Sequence, residues 1–266
     1  MNGEERIHVA VYSRHLSEDR NLLVVLGDSA EVLAGKAAYD ARYGIAPSPG
    51  EAGAALARLI AASALAAVSL AERESWGWTM TVNGKGHGLF CGAEPEGFIC
   101  GTIRDATRDR GIVYLQRKKG DGPLVESRYE PVSADPAASV QRYFGKVEQI
   151  ETRISLDGTG GALVQALPGG ALGELALSTD AEVVSEMRAL GAADRLKHLD
   201  DVAIFYECRC DDAVIRRMLE GMPKESRAAL WGEEERLQIA CPRCGREFVV
   251  PRGDITFSET SGENVR

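Results

Sequence analysis

Apolar and less apolar residues alternate along Ile7-His8-Val9-Ala10-Val11-Tyr12, the period of a half-buried strand, and Leu22 to Leu26 repeats the strand signal. Asp28-Ser29-Ala30-Glu31 then has capping-box spacing, which predicts a helix running to about Gly44. Pro47-Ser48-Pro49-Gly50 breaks the chain ahead of a long helix over residues 51–72, whose most apolar part is Leu59 to Ala71. Trp76, Trp78, Met80 and Val82 fall on one side of a strand, and Asn83-Gly84 is a hairpin turn signal. Phe98 to Ile103, Ile112 to Gln116 and Leu124 to Tyr129 continue as a meander, punctuated by Gly120-Asp121-Gly122-Pro123. Asp135-Pro136 supplies an N-cap and a first-turn proline for a helix through Phe144. Strands and helices therefore come in runs rather than in βαβ alternation, and the class is α+β, a mixed antiparallel sheet with helices.

After Pro168-Gly169-Gly170 the pattern weakens to helical patches, Glu182 to Leu190 and Ala193 to Leu199. The organisation read from this is an N-terminal domain over residues 1–168, a helical linker over 169–205, a small C-terminal domain over 206–255, and a polar tail over 256–266. A chain of 266 residues, 44% hydrophobic, can bury a substantial core, so a main domain with a smaller appendage is expected. The net charge of −9 disfavours nucleic-acid and anionic-lipid partners. Met1-Asn2-Gly3-Glu4-Glu5-Arg6 lacks the basic start of an export signal, and the Leu59 to Ala71 run is too short to cross a bilayer, so a cytoplasmic protein with no membrane partner is expected.

The cysteines add chemistry to this outline. Cys208-Arg209-Cys210 and Cys241-Pro242-Arg243-Cys244 form a C-x-C and a C-x-x-C pair, with thirty residues between Cys210 and Cys241. Two close pairs brought together by an intervening fold supply four soft ligands in a tetrahedron, which is what zinc prefers, and Gly245 suits the tight knuckle after the second pair. One zinc ion held by Cys208, Cys210, Cys241 and Cys244 is expected, on a unit with helices from Asp211 to Glu220 and from Pro223 to Trp231 and a hairpin of Leu237 to Ala240 with Glu247 to Val250. Spacing alone leaves open whether such a zinc is structural or a switch. From Cys208 to Gly253 there are nine arginines and lysines against eight acids, so the unit lacks the basic face that a nucleic-acid reader needs. Four cysteine ligands also leave no open position for a catalytic water, and no acid–base constellation appears elsewhere, so no catalytic residue is predicted.

These residues carry a resemblance. Tyr206-Glu207-Cys208-Arg209-Cys210, the thirty-residue gap and Cys241-Pro242-Arg243-Cys244-Gly245 resemble the zinc module of the thirty-three-kilodalton chaperonin family, the redox-regulated heat-shock chaperones of bacteria. Tyr143-Phe144-Gly145-Lys146-Val147-Glu148-Gln149 is similar to a segment of that family, with Val147 in place of its usual serine, and residues 160–169 are similar to the strand that closes its main domain. The resemblance implies an ATP-independent holdase whose N-terminal domain holds unfolded or partly folded clients, with a homodimer in the oxidised state. It implies that oxidation pairs Cys208 with Cys210 and Cys241 with Cys244 as disulfides and releases the zinc, and that heat acts as a second trigger.

Weaker signals have plainer readings. Cys91 and Cys100 flank the turn Glu94-Pro95-Glu96, and a symmetric hairpin would set them opposite each other, but two ordinary buried thiols are the preferred reading. His87 and His198 are read as solvated or locally bonded, Gly84 to Gly88 as a turn, and Arg252-Gly253-Asp254 as chance.

Overall fold

The opening alternation becomes β1 (Val9–Ser17), which turns back into β2 (Leu22–Asp28). The computed structural model describes residues 7–48, 50–70, 72, 74–82, 87–105 and 111–255. Tyr12 is fully buried, and its hydroxyl shares a 2.8 Å hydrogen bond with that of Ser29. With the Ser29 side chain engaged there, the capping box expected at residues 28–31 does not form. Instead the Asp28 carboxylate accepts from the Ala30 N–H at 2.8 Å, and the Glu31 carboxylate meets His8 at 2.8 Å. The helix itself, α1 (Ala30–Tyr43), is present and ends where expected, on Gly44 in the left-handed region at φ 67°.

Next, α2 (Gly50–Ser69) is long and apolar enough by length and composition to cross a membrane, yet Leu59 through Ala66 are all buried within the protein. It is a core helix. The expected strands follow as β3 (Ser75–Val82), β4 (His87–Ala93), β5 (Phe98–Asp105), β6 (Val113–Lys118) and β7 (Val125–Tyr129), but not as a simple meander, because β6 crosses over to pair with β3 instead of β5. The Asn83-Gly84 turn and the tail 256–266 lie outside the described residues. Asp135 accepts from the Ala137 N–H to cap α3 (Pro136–Tyr143), as predicted, and the helix passes into a π-helical turn over Phe144–Glu148. Then come β8 (Thr152–Asp157), β9 (Gly160–Ala166) and α4 (Asp180–Ala192), which opens with a complete capping box of Thr179 and Glu182.

The expected helix over Ala193 to Leu199 is not there. The chain reverses at Asp194, φ 56°, and enters β10 (Lys197–Tyr206). Only the second half of β10 carries a strand pattern, with Val202, Ile204 and Tyr206 buried on one face. Its first half is polar and exposed, which hides the strand from a reading of periodicity.

That strand holds the sheet together. The order is β7-β6-β3-β4-β5-β10-β1-β2-β9-β8, so β10 lies between two half-sheets. It pairs antiparallel with β1 from Val9↔Phe205 to Leu16↔Lys197, with a bulge at Arg14/His15, and parallel with β5 only at Phe205↔Phe98 and Tyr206↔Ile99. Beneath, α2 packs on strands of both halves. On the opposite face α4 covers Leu22, Val24, Ala162 and Val164.

Past β10 the C-terminal unit forms as expected. α5 (Asp212–Glu220) is capped by Asp211, which accepts from the Val214 N–H at 2.6 Å, and α6 (Lys224–Trp231) follows Pro223. β11 (Arg236–Ala240) pairs with β12 (Glu247–Pro251). Its apolar residues Ile215, Leu219, Trp231, Phe248 and Val250 are continuous with the main core, so the unit is docked. Arg252-Gly253-Asp254 is a short 3-10 turn, and Asp254 is paired with Arg216 at 2.9 Å.

Candidate metal centre

Two segments deliver the four cysteines. Cys208 and Cys210 lie between the end of β10 and the capped start of α5, while Cys241 and Cys244 occupy the turn joining β11 to β12. In that turn Cys241 N–H donates to the Arg246 carbonyl at 2.7 Å, Gly245 N–H donates to the Cys241 carbonyl at 2.9 Å, and Gly245 sits at φ 84°, a value that suits glycine. The Arg243 N–H points at the Cys241 sulfur, 3.4 Å away, the backbone-to-sulfur contact expected of the knuckle.

The four sulfurs all lie within 4.8 Å of one another, and all four residues are buried. A tetrahedral metal with sulfur bonds of about 2.3 Å needs sulfurs about 3.8 Å apart, so the cluster fits such an ion in both donor type and spacing. Hydrogen bonds among the thiols split their acidities. Cys241 is held well below the usual thiol range and Cys244 falls to about 7, in each case chiefly through its bonds with Cys208 and Cys210. Cys208 is pushed up, first by Cys100 and then by the other three thiols. Cys210 is also raised, because its bonds with Cys241 and Cys244 and its burial outweigh the opposite pull of Cys208.

Two neighbours of the cluster were not legible in the sequence. Tyr39 of α1, fully sequestered, donates its hydroxyl to the Cys244 sulfur at 3.3 Å and lies 3.7 Å from that of Cys210. Burial, followed by the adjoining thiols, drives its own pKa upward. Cys100 of β5 touches Cys208. Both come from the N-terminal part of the chain, and neither has a motif of its own. Tyr39 also packs edge-on to Tyr206, whose hydroxyl donates to the Gly101 carbonyl at 2.7 Å, so the thiols, α1 and the end of β10 form one packed unit.

Arginines hold the cysteine unit against the main sheet. Arg243 pairs with Glu94, Arg209 with Glu96 at 2.6 Å, and Arg104 donates to the Pro242 carbonyl. Arg246 stacks on Tyr43 and Phe248 with its guanidinium 4.1 and 4.6 Å from the ring centres.

Cys91 and Cys100 do not face each other. Five residues, 94–98, separate the last pair Ala93↔Ile99, and that odd count sets Cys91 opposite Gly101 and Cys100 opposite Gly92. The two thiols thus project from opposite faces, Cys91 toward Ser63 of α2 and Cys100 toward Cys208. Burial lifts Cys91 to about 12, which makes it an unreactive core thiol. His198 is locally bonded, to Asp201 at 2.9 Å, as expected, while the His87 side chain lies outside the described residues.

The four-thiol knuckle joined to a strand of the main sheet can be set against known proteins. The family model described as Hsp33 protein matches residues 30–251, which include all four cysteines and β10. This chain belongs to the Hsp33 family. A relative named 33 kDa chaperonin from Shewanella loihica is 26% identical over 76% of this chain and 82% of its own length. Another of that name, from Proteus mirabilis, is 26% identical over 64% of this chain and 63% of its own length. The crystal structure of the 33 kDa chaperonin (heat shock protein 33 homolog) from Thermotoga maritima superposes with a TM-score of 0.69 at 18% identity, covering 93% of this chain and 96% of that one, so the two share a fold. The Hsp33 fold thus accounts for the α+β architecture read from the sequence.

Proposed function

We propose that this chain is a redox-activated, ATP-independent chaperone that holds unfolded or partly folded proteins in the cytoplasm and keeps them from aggregating. One observation carries the reading: Cys208 follows the end of β10 by two residues, so the thiol cluster and the strand that closes the main sheet are tied to each other. Membership of the Hsp33 family supports it.

Cys208, Cys210, Cys241 and Cys244 would hold one zinc ion in the reduced protein. When bound, zinc supplies about 10–16 kcal/mol that becomes folding free energy for the C-terminal unit. Under peroxide, Cys208 with Cys210 and Cys241 with Cys244 would each form a disulfide; each thiolate pair gives up two electrons, and one peroxide takes them up with two protons from solvent and becomes two waters. The sulfurs then cease to be donors. Without that anchor the C-terminal unit loosens, Tyr206 loses its packing on Tyr39, and β10 detaches. Its departure uncovers the strand edges it paired with and the apolar residues beside Val202, Ile204 and Tyr206, which bind clients. No bond in a client is made or broken, so no catalytic group is called for.

The test follows zinc release and suppression of client aggregation together, before and after peroxide with mild warming. Oxidised protein should lose zinc, bind a hydrophobic dye and suppress aggregation, all reversed by thiol reductant and zinc. Zinc loss and opening without better suppression would sink the chaperone reading.

A further inference from the structure

Within the chaperone reading, on which this rests, the structure points to where and how a client binds: we propose that an extended client segment enters the sheet as a strand between β1 and β5, in the place β10 leaves.

The geometry is specific. β10 is paired along its length with β1 and at its C-terminal end also with β5, so its removal frees the edge of β1 and, beside Phe98 and Ile99, leaves two unpaired edges facing each other across about 9.6 Å, twice the spacing of neighbouring strands. Unpaired edges of this kind are templates for an incoming strand. The gap is held open from below, because α2 packs on β1 and β2 of one half-sheet and on β4 and β5 of the other. A strand of client origin can therefore recover the pairing that β10 had with β1 and its short parallel match to β5.

The present occupant shows what the slot accepts. β10 places Val202 against Tyr12 and Ile204 against Ala10 on the buried face, and Tyr206 beside Ile99. On the outer face Ala203 pairs with Val11, itself 58% exposed, and Phe205 lies 6.2 Å ring to ring from Phe98. An accepted segment thus has apolar residues at alternate positions, as unfolded proteins expose from their own core strands. A charged contact sets the register. Arg14 donates to both carboxylate oxygens of Asp200, at 2.6 and 3.1 Å, and is braced by the Leu70 carbonyl at 2.7 Å. After β10 leaves, Arg14 stands without that carboxylate and selects a segment with an acid two residues before the first buried apolar residue.

The experiment uses the full chain and a labelled peptide with the sequence of Lys197–Tyr206. In one arm Val11→Cys and Ala203→Cys, facing each other on the outer side, are bridged with a short bis-alkylating reagent in the zinc-loaded protein, whose six native cysteines are buried. The bridged protein should release zinc under peroxide as the wild type does, yet bind peptide and client at least tenfold more weakly than the same variant with its two new cysteines capped separately by a monofunctional alkylating reagent. Equal binding by both forms would overturn the slot while leaving the chaperone reading intact. In the second arm a peptide carrying lysine at the Asp200 position should bind the oxidised wild type about tenfold more weakly, and Arg14→Glu should reverse that preference. An unreversed preference argues against the register set by Arg14. If peptide binds but no client is held, the slot stands and the chaperone reading falls. If the oxidised protein forms a dimer that excess client does not dissolve and that bridging abolishes, the occupant is β10 of a second copy and the client assignment is wrong.

Discussion

Tyr39 is, with Cys100, one of two side chains through which the N-terminal part of the chain reaches the thiols, and its hydroxyl donates to Cys244. Tyr39→Phe keeps the ring packed against Tyr43 and Tyr206 but removes that donor, so stability should fall by only about 1 kcal/mol. A sulfur relieved of a hydrogen bond is the better nucleophile, and the variant should therefore release zinc faster under peroxide, which a chromophoric zinc indicator follows. Replacing Cys208 and Cys241 together by serine should leave well under one zinc per chain by elemental analysis; full retention would refute the ligand assignment. The acidities add a pH dependence. Cys208 and Cys210, raised in the metal-free cluster, must surrender protons before they can bind, whereas Cys241 and Cys244 are already lowered. Protons compete with metal, so zinc uptake by the reduced apo-protein should weaken as pH falls and should release protons that a pH indicator detects.

Among the elements, β10 is the one whose release the proposed function requires. A charge at Ile204, 4% exposed and opposite Ala10, has no partner in the core and would cost several kcal/mol in the closed strand. Ile204→Asp should therefore suppress aggregation while reduced and zinc-loaded, separating release of the strand from loss of the metal. An inactive reduced variant with full zinc content would show that β10 does not gate binding. α3 makes a plainer case. Asp135 caps it and is gripped by Arg58 at 2.8 and 2.6 Å. Burial opposes ionisation of that carboxyl, but Arg58 and the Ala137 N–H outweigh it and hold its pKa below the usual value. Its contribution is thus present above the unfolded carboxylate pKa and is lost as pH falls through the lower folded one. Asp135→Ala should cost about 1 kcal/mol at neutral pH by urea unfolding, with the difference shrinking in acid.

At the scale of the whole molecule, the cysteine unit shares its core with the main sheet and is latched by Arg243 to Glu94 and Arg209 to Glu96. These pairs touch no thiol donor function directly, so Glu94→Gln should keep zinc content unchanged while loosening the docking. Limited proteolysis of the reduced variant should then cut sooner between residues 206 and 255 than in the wild type. An unchanged cleavage rate would mean that the apolar contacts alone hold the unit in place.

The sequence by itself determined whatever depends on near neighbours along the chain: the strands after α2 though not the order in which they pair, the turn residue Gly44, the Asp135 and Asp211 caps, and the pairing of C-x-C with C-x-x-C on a unit of two helices and a hairpin. Short-range periodicity, backbone preference and ligand spacing suffice for these. Tertiary structure decided what depends on partners far away. Residues 193–199 read as helix because Lys197 to Asp201 carry no apolar alternation; instead 193–196 turn the chain, and 197–199 are strand because β1 supplies the partners. Cys91 and Cys100 were set on opposite faces by a single residue in a turn, and Tyr39 and Cys100 reached the thiols only because β5, β10 and α1 converge there. Proximity of this kind is a property of the packed sheet, and one chain's pattern of polar and apolar residues does not encode which remote side chain fills a given space.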